Sequence, residues 1–408
     1  MSETEKLFLQ ALNAALRNEA VTWDGEIPPE TWAELLRLAE AHKVLPMIFQ
    51  AVYACPAAAS IPPELIAACR SKVRQLVMVQ TRKTLAFRPL LQKLQRSGVA
   101  PLVVKGIICR ELYPDPDYRM SSDEDLLIPP EQFPLCHRVL TDLGFSTPDP
   151  EGSSYETPYT HPVSHLYLEV HTSLFPPENK AYGGLDRLFR DVRQRSTLQS
   201  GIPTLAPTDH LLYLIVHAFK HFLHSGFGIR QVCDIVLYAN AWGDAIDWEA
   251  LLEACRSVRA EHFAAGLFRI GEKHLTFSRE RSGYPHQWQS IYVEELPLLQ
   301  DILRAGIYGS ADKSRQHSST ITLRAVDGQT SNAAQGIFKS LFPSAKTLQQ
   351  RYPYLKGKPW LLPVAWTERL VRYGRETRRS ANNDPAASIR IGKERIALLQ
   401  RYGIIDKE

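Results

Sequence analysis

Residues 102–129, LVVKGIICRELYPDPDYRMSSDEDLLIP, contain the pattern that decides the fold. A short β-branched run ends abruptly at Lys105 and Gly106, and helix-compatible residues follow, which predicts a strand, a tight turn and a helix. A second apolar run begins at three consecutive acids, residues 123–125, and closes with two prolines. These alternating strands and helices indicate that the middle of the chain combines α and β structure.

A third apolar run, HLYLEVHTSLF at residues 165–175, alternates between apolar and polar side chains. A period of two is typical of a strand with one buried face. We therefore expect Leu166, Leu168 and Val170 on one face, and Tyr167, Glu169 and His171 on the other.

The periodicity of the remaining chain is mainly helical, so we predict an α+β fold with helical regions on both sides of a small mixed sheet. Residues 275–335 are polar and turn-rich, which indicates loops or an irregular insertion. The predicted regions are a helical N-terminal cap (1–98), an α+β domain (99–200), a helical C-terminal domain with the insertion (201–345), and an extension rich in proline, aromatic and basic residues with a terminal helix (346–408).

Composition excludes several classes of protein. The 48 basic residues nearly balance the 44 acidic ones, and there is no basic stripe with aromatic residues, which disfavours nucleic-acid binding and template-directed polymerisation. The six cysteines form no CxxC pair, so we expect reduced core thiols rather than a zinc ribbon or disulfide scaffold. No signal-peptide pattern and no run of 18 apolar residues is present, which predicts a soluble cytoplasmic protein without a membrane span.

The acidic run has the spacing of a metal site. Within a strand, Asp123 and Asp125 would point to the same side, roughly 7 Å apart, and Glu169 on a neighbouring strand could supply a third carboxylate. Mg²⁺ prefers carboxylate, phosphate and water oxygens, so this set would suit phosphoryl transfer with divalent ions. The alternative is a strand-end pair of acids that stays in solvent.

The turn at Lys105 and Gly106 could bind a triphosphate. Glycine lets a backbone approach a phosphate, a helix N-terminus offers N–H groups, and the lysine adds a positive charge. Arg119 could reach a phosphate or hold its loop, and Ser122 could bond a phosphate or cap the strand entry. His171 could orient Glu169, touch the nucleotide, or be a structural histidine.

Four histidines, His210, His217, His221 and His224, fall on one face of a predicted helix. A metal site there is one interpretation; packing against the α+β domain is the other, with His217, Lys220 and His221 near the nucleotide or acceptor. Arg230 and Asp234, spaced i and i+4, are expected to form an intrahelical ion pair.

Together, LVVKGIICRELYPDPDYRMSSDEDLLIP, LEVHTSLF and HLLYLIVHAFKHF resemble the uncharacterised nucleotidyltransferase family of the DNA polymerase β superfamily. The resemblance implies a minimal polymerase-β-like domain. It places Lys105 and Gly106 at the phosphate turn, and Asp123, Asp125 and Glu169 at the metal carboxylates.

The resemblance also implies an activity: Mg²⁺- or Mn²⁺-dependent transfer of a nucleoside monophosphate, by default from ATP, to a protein, peptide or small-molecule acceptor. Two departures leave a catalytically inactive nucleotide-binding module, regulatory or scaffolding, as the alternative. The turn is Lys-Gly where the superfamily has Gly-Ser or Gly-Gly. Glu124 stands where an apolar residue is usual, so it must pair with a basic residue or lie at an exposed strand end.

Overall fold

The computed structural model describes residues 1–177, 184–306, 348, 352–355, 357–368 and 385–406. The chain divides into two compact units. The first comprises Met1–Ala218 and Gly228–Leu303, and the second comprises Phe219–Phe227 and Arg304–Glu408. The four regions predicted from the sequence follow other boundaries and stay a prediction.

The first unit opens with four helices, α1 (Glu3–Leu16), α2 (Pro29–Ala41), α3 (Leu45–Tyr53) and α4 (Pro63–Arg96). Phe8, Leu12, Trp32 and Ile48 of the first three are fully buried, so their apolar faces form one core. Helix α4 instead reaches toward the acidic run, where Gln80 accepts a hydrogen bond from the main-chain N–H of Ser121 at 2.9 Å.

One six-stranded mixed sheet forms the centre of the first unit, in the order β3-β4-β2-β1-β6-β5. Its strands are β1 (Leu102–Val104), β2 (Glu124–Leu127), β3 (Glu156–Thr160), β4 (Tyr167–His171), β5 (Thr197–Gln199) and β6 (Ile202–Thr204). Strand β1 is antiparallel to β2 and parallel to β6, and β2 is parallel to β4. A mixed sheet with many helices confirms the α+β class.

Three of these strands coincide with the apolar runs of the sequence, and Leu166, Leu168 and Val170 are buried as expected. The strand β2 begins at Glu124, so Asp123 lies in the preceding loop and not within the strand as expected. The sequence did not indicate the partners β3, β5 and β6. They are short, β3 contains a proline, and each is defined by pairing rather than by an apolar pattern.

In the described part of the first unit, nine further helices begin: α5 (Gly106–Arg110), α6 (Phe133–Asp142), α7 (Pro207–His224), α8 (Ile229–Trp242), α9 (Trp248–Ser257), α10 (Glu261–His274), α11 (Arg279–Ser282), α12 (His286–Gln289) and α13 (Glu295–Ala305). The last three correct the expectation of loops after residue 275. The polar sequence of this region also contains two buried aromatic residues, Tyr284 between α11 and α12 and Trp288 in α12, and their rings pack on Trp248. Residues 307–335 of that predicted insertion lie outside the described part.

The second unit contains residues 219–224 of α7 and the terminal helix α14 (Pro385–Arg401). The ring of Phe222 packs edge-on against Tyr402 and Phe227. The buried guanidinium of Arg395 lies over the same ring, 5.6 Å from its centre, and donates to the Phe222 carbonyl oxygen.

All six cysteines are buried and form no disulfide, as expected for core thiols. Among the helices in the described part of the chain, none combines the length and apolar character needed to cross a bilayer.

Candidate active site

Two neighbouring strands bring three potential metal ligands together. Asp125 of β2 is paired in register with Glu169 of β4, and His171 lies two residues further along β4. The imidazole Nε2 of His171 is 3.1 Å from Asp125 Oδ1 and 3.9 Å from Glu169 Oε2. One ligand atom from each residue lies within 4.8 Å of the other two. We call this set the acidic cluster.

The second ring nitrogen of His171 faces another carboxylate. Its Nδ1 is 4.0 Å from Oε2 of Glu156 on β3, and it is buried without a hydrogen-bond partner. Histidines that ligate metals commonly direct one nitrogen at the metal and the other at an outer carboxylate, which fixes the ring. His171 has this arrangement relative to the acidic cluster.

The pKa values of the two carboxyl groups of the cluster are shifted in opposite directions. Burial acts to raise the pKa of Asp125, but the Lys105 ammonium and His171 outweigh it and hold that pKa well below its usual range. Burial, reinforced by the charges of Asp125, Asp123 and Glu156, raises the pKa of Glu169 to about 9. Crowded carboxylates of this kind are relieved by a bound cation.

Asp123, a predicted metal ligand, is half-buried in the loop before β2. Its negative charge helps to raise the pKa of Glu169. It also counteracts the effects that lower the pKa of Lys43. Among the described residues, the group with closely spaced ligand atoms consists of Asp125, Glu169 and His171 and does not include Asp123.

Lys105 follows β1 with a positive φ of 55° and directs its ammonium into the acidic cluster. The Nζ atom is 3.0 Å from Asp125 Oδ2 and 3.1 Å from His217 Nε2. The main-chain N–H of Lys105 donates to His210 Nε2 at 3.1 Å, and the other ring nitrogen of His210 bonds Thr204 Oγ1 at 3.3 Å. Helix α7 therefore holds the turn through two of the histidines noted in the sequence.

Glu124 is buried and pairs with the buried guanidinium of Arg110. Of the two environments predicted from the sequence, a basic partner or an exposed strand end, the structure has the basic partner. The carboxylate also accepts the N–H of Ile107 at 2.9 Å. A Cβ added to Gly106 would lie 2.0 Å from Glu124 Oε2. The carboxylate thus occupies the N-terminal end of α5, where the sequence suggested a phosphate cradle.

A family model described as "Uncharacterised nucleotidyltransferase" matches residues 28–275, which is more than half of the chain and contains the whole acidic cluster. The chain belongs to this family. It is accordingly a nucleotidyltransferase, a transferase of phosphorus-containing groups. Comparisons with curated proteins and with solved structures gave no significant match.

In this nucleotidyltransferase, Arg119 has the contacts of a loop-holding residue. Its buried guanidinium binds both carboxylate oxygens of Asp234, at 2.8 and 2.7 Å, and Tyr113 donates to the same carboxylate at 2.7 Å. The expected ion pair of Arg230 with Asp234 is present at 3.5 Å. Asp234 is thus shared, and Arg119 is its closer cationic partner.

Two lysines of the nucleotidyltransferase were missed from the sequence. The ammonium of Lys43 donates to Ser122 Oγ, and that of Lys83 lies 3.3 Å from the carbonyl oxygens of Ser121 and Ser122. Nothing in the local sequence signals these contacts with residues 121 and 122, because both lysines precede the sheet by many residues, Lys43 in the turn after α2 and Lys83 within α4.

The remaining predicted site residues are Lys220 and His221, which belong to the second unit. Their expected position near the nucleotide stays a prediction.

Proposed function

We propose that the protein transfers a nucleoside monophosphate from a nucleoside triphosphate to an acceptor hydroxyl and releases pyrophosphate. The observation that carries the proposal is the acidic cluster of Asp125, Glu169 and His171 on adjacent strands, in a chain of the nucleotidyltransferase family. Asp123, one residue before β2, is proposed as a further carboxylate of this site.

The donor set fits a divalent cation. Two carboxylates supply oxygen ligands of the kind that Mg²⁺ and Mn²⁺ prefer, and the imidazole nitrogen favours Mn²⁺ over Mg²⁺. The Lys105 ammonium, 3.0 Å from the buried Asp125 Oδ2, lies at the edge of this donor set. When bound, the metal would supply charge neutralisation at the transferred phosphoryl group and acidify the attacking hydroxyl.

The proposed reaction is a nucleophilic displacement at the α-phosphorus. The acceptor oxygen forms a bond to this phosphorus, the bond to the β-phosphate oxygen breaks, and pyrophosphate leaves with the electron pair. A cation bound in the cluster would favour the ionised form of Glu169. Glu169 is then proposed to receive the acceptor proton, because it is the less deeply buried carboxylate of the cluster and faces the same site. Lys105 is proposed to stabilise negative charge on the phosphates.

ATP is the proposed donor and the acceptor is a protein, a peptide or a small molecule, as the family resemblance implies. The near balance of basic and acidic residues supports an acceptor other than nucleic acid.

The test is incubation of the purified protein with Mg²⁺ or Mn²⁺ and each α-labelled nucleoside triphosphate, with cell lysate as the source of acceptors. Label transfer and pyrophosphate release that vanish in Asp125→Asn support the proposal. Transfer from γ-labelled ATP instead would indicate kinase-type chemistry. Nucleotide binding with no transfer in any condition would contradict the proposal and favour an inactive binding module.

A further inference from the structure

Three cations from separate helical segments meet near the loop that precedes β2. Lys43 follows α2, Lys83 lies on α4, and Arg230 lies on α8. Both lysines contact Ser122: Lys43 bonds its hydroxyl and Lys83 its carbonyl oxygen. The main-chain N–H of Ile229 donates to His42 Nδ1 at 3.2 Å, so the residues adjoining Arg230 and Lys43 are in contact. The three cations are here called the cationic group.

Around Lys43, positive charges outnumber negative ones. Burial and the positive charges of Arg230, Lys83 and Arg119 together lower the pKa of Lys43 to about 8, against the opposing effect of Asp123. Arg119 itself is ion-paired with Asp234 at 2.7 Å. Cations that repel one another while partly removed from water are stabilised by an anionic ligand.

Arg230 has buried donors without acceptors. Its side chain is 8% exposed, and its Nε and Nη1 atoms are buried with no hydrogen-bond partner. The nearest carboxylate, Asp234, lies 3.5 Å from Nη1 and is hydrogen-bonded by Arg119 and Tyr113. An unsatisfied buried guanidinium is costly, and phosphate oxygens are the acceptors that its geometry suits.

The other anion position at the site is already filled. Glu124 occupies the N-terminal end of α5, and the N–H groups of Lys105 and Ile107 are bonded to His210 and Glu124. A polyphosphate therefore needs donors elsewhere. The cationic group lies beside Ser122, three residues before Asp125 of the acidic cluster, so one extended ligand could reach both.

We infer that Lys43, Lys83 and Arg230 bind the β- and γ-phosphates of the nucleoside triphosphate. This assignment rests on the proposed function. The three cations would supply direct contacts to the leaving pyrophosphate, which the carboxylates of the acidic cluster cannot provide. Lysine and arginine form charge-assisted hydrogen bonds with phosphate oxygens, and the charge they neutralise is the one that develops on the leaving group.

Calorimetric titration with inorganic tripolyphosphate in EDTA tests the assignment without metal or nucleoside. We expect the wild-type protein to bind, and Lys43→Gln/Lys83→Gln to bind at least about tenfold more weakly. Lys43→Arg/Lys83→Arg, which keeps both charges, should bind nearly as well as wild type. Lys72→Gln removes an equally charged but exposed side chain from the same helix as Lys83 and should change nothing.

Wild-type affinity in the glutamine variant, or no binding by the wild-type protein, would overturn the assignment. Equal losses in the arginine and glutamine variants would overturn it too, because they would indicate that the lysines only support the Ser122 loop. Failure of the proposed function is distinguishable: tripolyphosphate would still bind through the lysines while no α-label is transferred.

Discussion

The carboxylate of Glu124 lies directly against Gly106, where a Cβ would be 2.0 Å from Oε2 and 3.0 Å from Cδ. The two departures from the superfamily pattern are therefore one feature. The acid between the two aspartates turns inward onto Arg110 and the start of α5, and only glycine leaves room for it in the turn. Glu124 thereby has a structural role at the start of α5.

Gly106→Ala should strongly destabilise the protein. The added methyl group would collide with a buried, ion-paired carboxylate, and Gly106 has a positive φ of 38° that strains an L-residue. We expect the free energy of unfolding to fall by about 3 kcal/mol, measured by urea denaturation. Gly201→Ala is the matched control, because its φ is 77° but no atom lies within 4 Å of the added Cβ. A loss no larger than that of the control, about 1 kcal/mol, would contradict the steric explanation.

The buried pair of Arg110 and Glu124 should show strong energetic coupling. Glu124→Gln leaves the Arg110 guanidinium buried without its counter-charge, so we expect a loss of about 3–5 kcal/mol in the free energy of unfolding. Arg110→Met should cost a similar amount, and the double variant clearly less than the two single losses combined. The exposed pair of Lys72 and Glu40 provides the control, since Glu40→Gln should cost less than about 1 kcal/mol. Strictly additive losses at Arg110 and Glu124 would refute the coupling.

The acidic cluster should bind Mn²⁺ more tightly than Mg²⁺, because one of its three ligands is an imidazole. Metal that binds only the folded state raises the melting temperature, which thermal unfolding measures. Asp125→Asn and His171→Ala should abolish this increase, and Asp125→Asn should slow nucleotidyl transfer by about 10²-fold or more. Asp142→Asn, at an exposed aspartate of α6, should keep the full increase. An unchanged Mn²⁺ response in His171→Ala would exclude the histidine as a ligand.

His42 should make the protein less stable in mild acid. Its Nδ1 accepts the N–H of Ile229 and its Nε2 bonds the Leu303 carbonyl oxygen, so the folded state requires a neutral ring. Burial lowers the pKa of His42 from 6.5 to about 4. The unfolded chain then binds the proton first as the pH falls, so stability is full above pH 6.5 and declines toward pH 4, by on the order of 2 kcal/mol at pH 5.

Urea denaturation between pH 7.5 and pH 5 measures this effect. His42→Asn retains a hydrogen-bonding side chain without a titratable ring, so its stability should depend less on pH than that of wild type. His262→Gln, at a largely exposed histidine, should leave the pH dependence unchanged. Parallel curves for wild type and His42→Asn would disprove the assignment.

The local sequence was sufficient to predict β1, β2 and β4, the Lys105–Gly106 turn, and the placement of Asp125 and Glu169 on neighbouring strands. Each of these features depends on a pattern of fewer than about a dozen neighbouring residues: a period of two, a β-branched run or a glycine at a turn. The partners β3, β5 and β6 carry no such pattern, and their pairing depends on strands distant in the chain.

The tertiary structure decided which side chains meet at the site. The parallel register of β2 and β4 brings His171 to Asp125, although 46 positions separate them. Packing of the helices brings Lys43 and Lys83 to Ser122 from 79 and 39 positions upstream. Residue types and local periodicity determined the elements and the chemistry available, whereas long-range register and helix packing, which no local pattern encodes, determined the site itself.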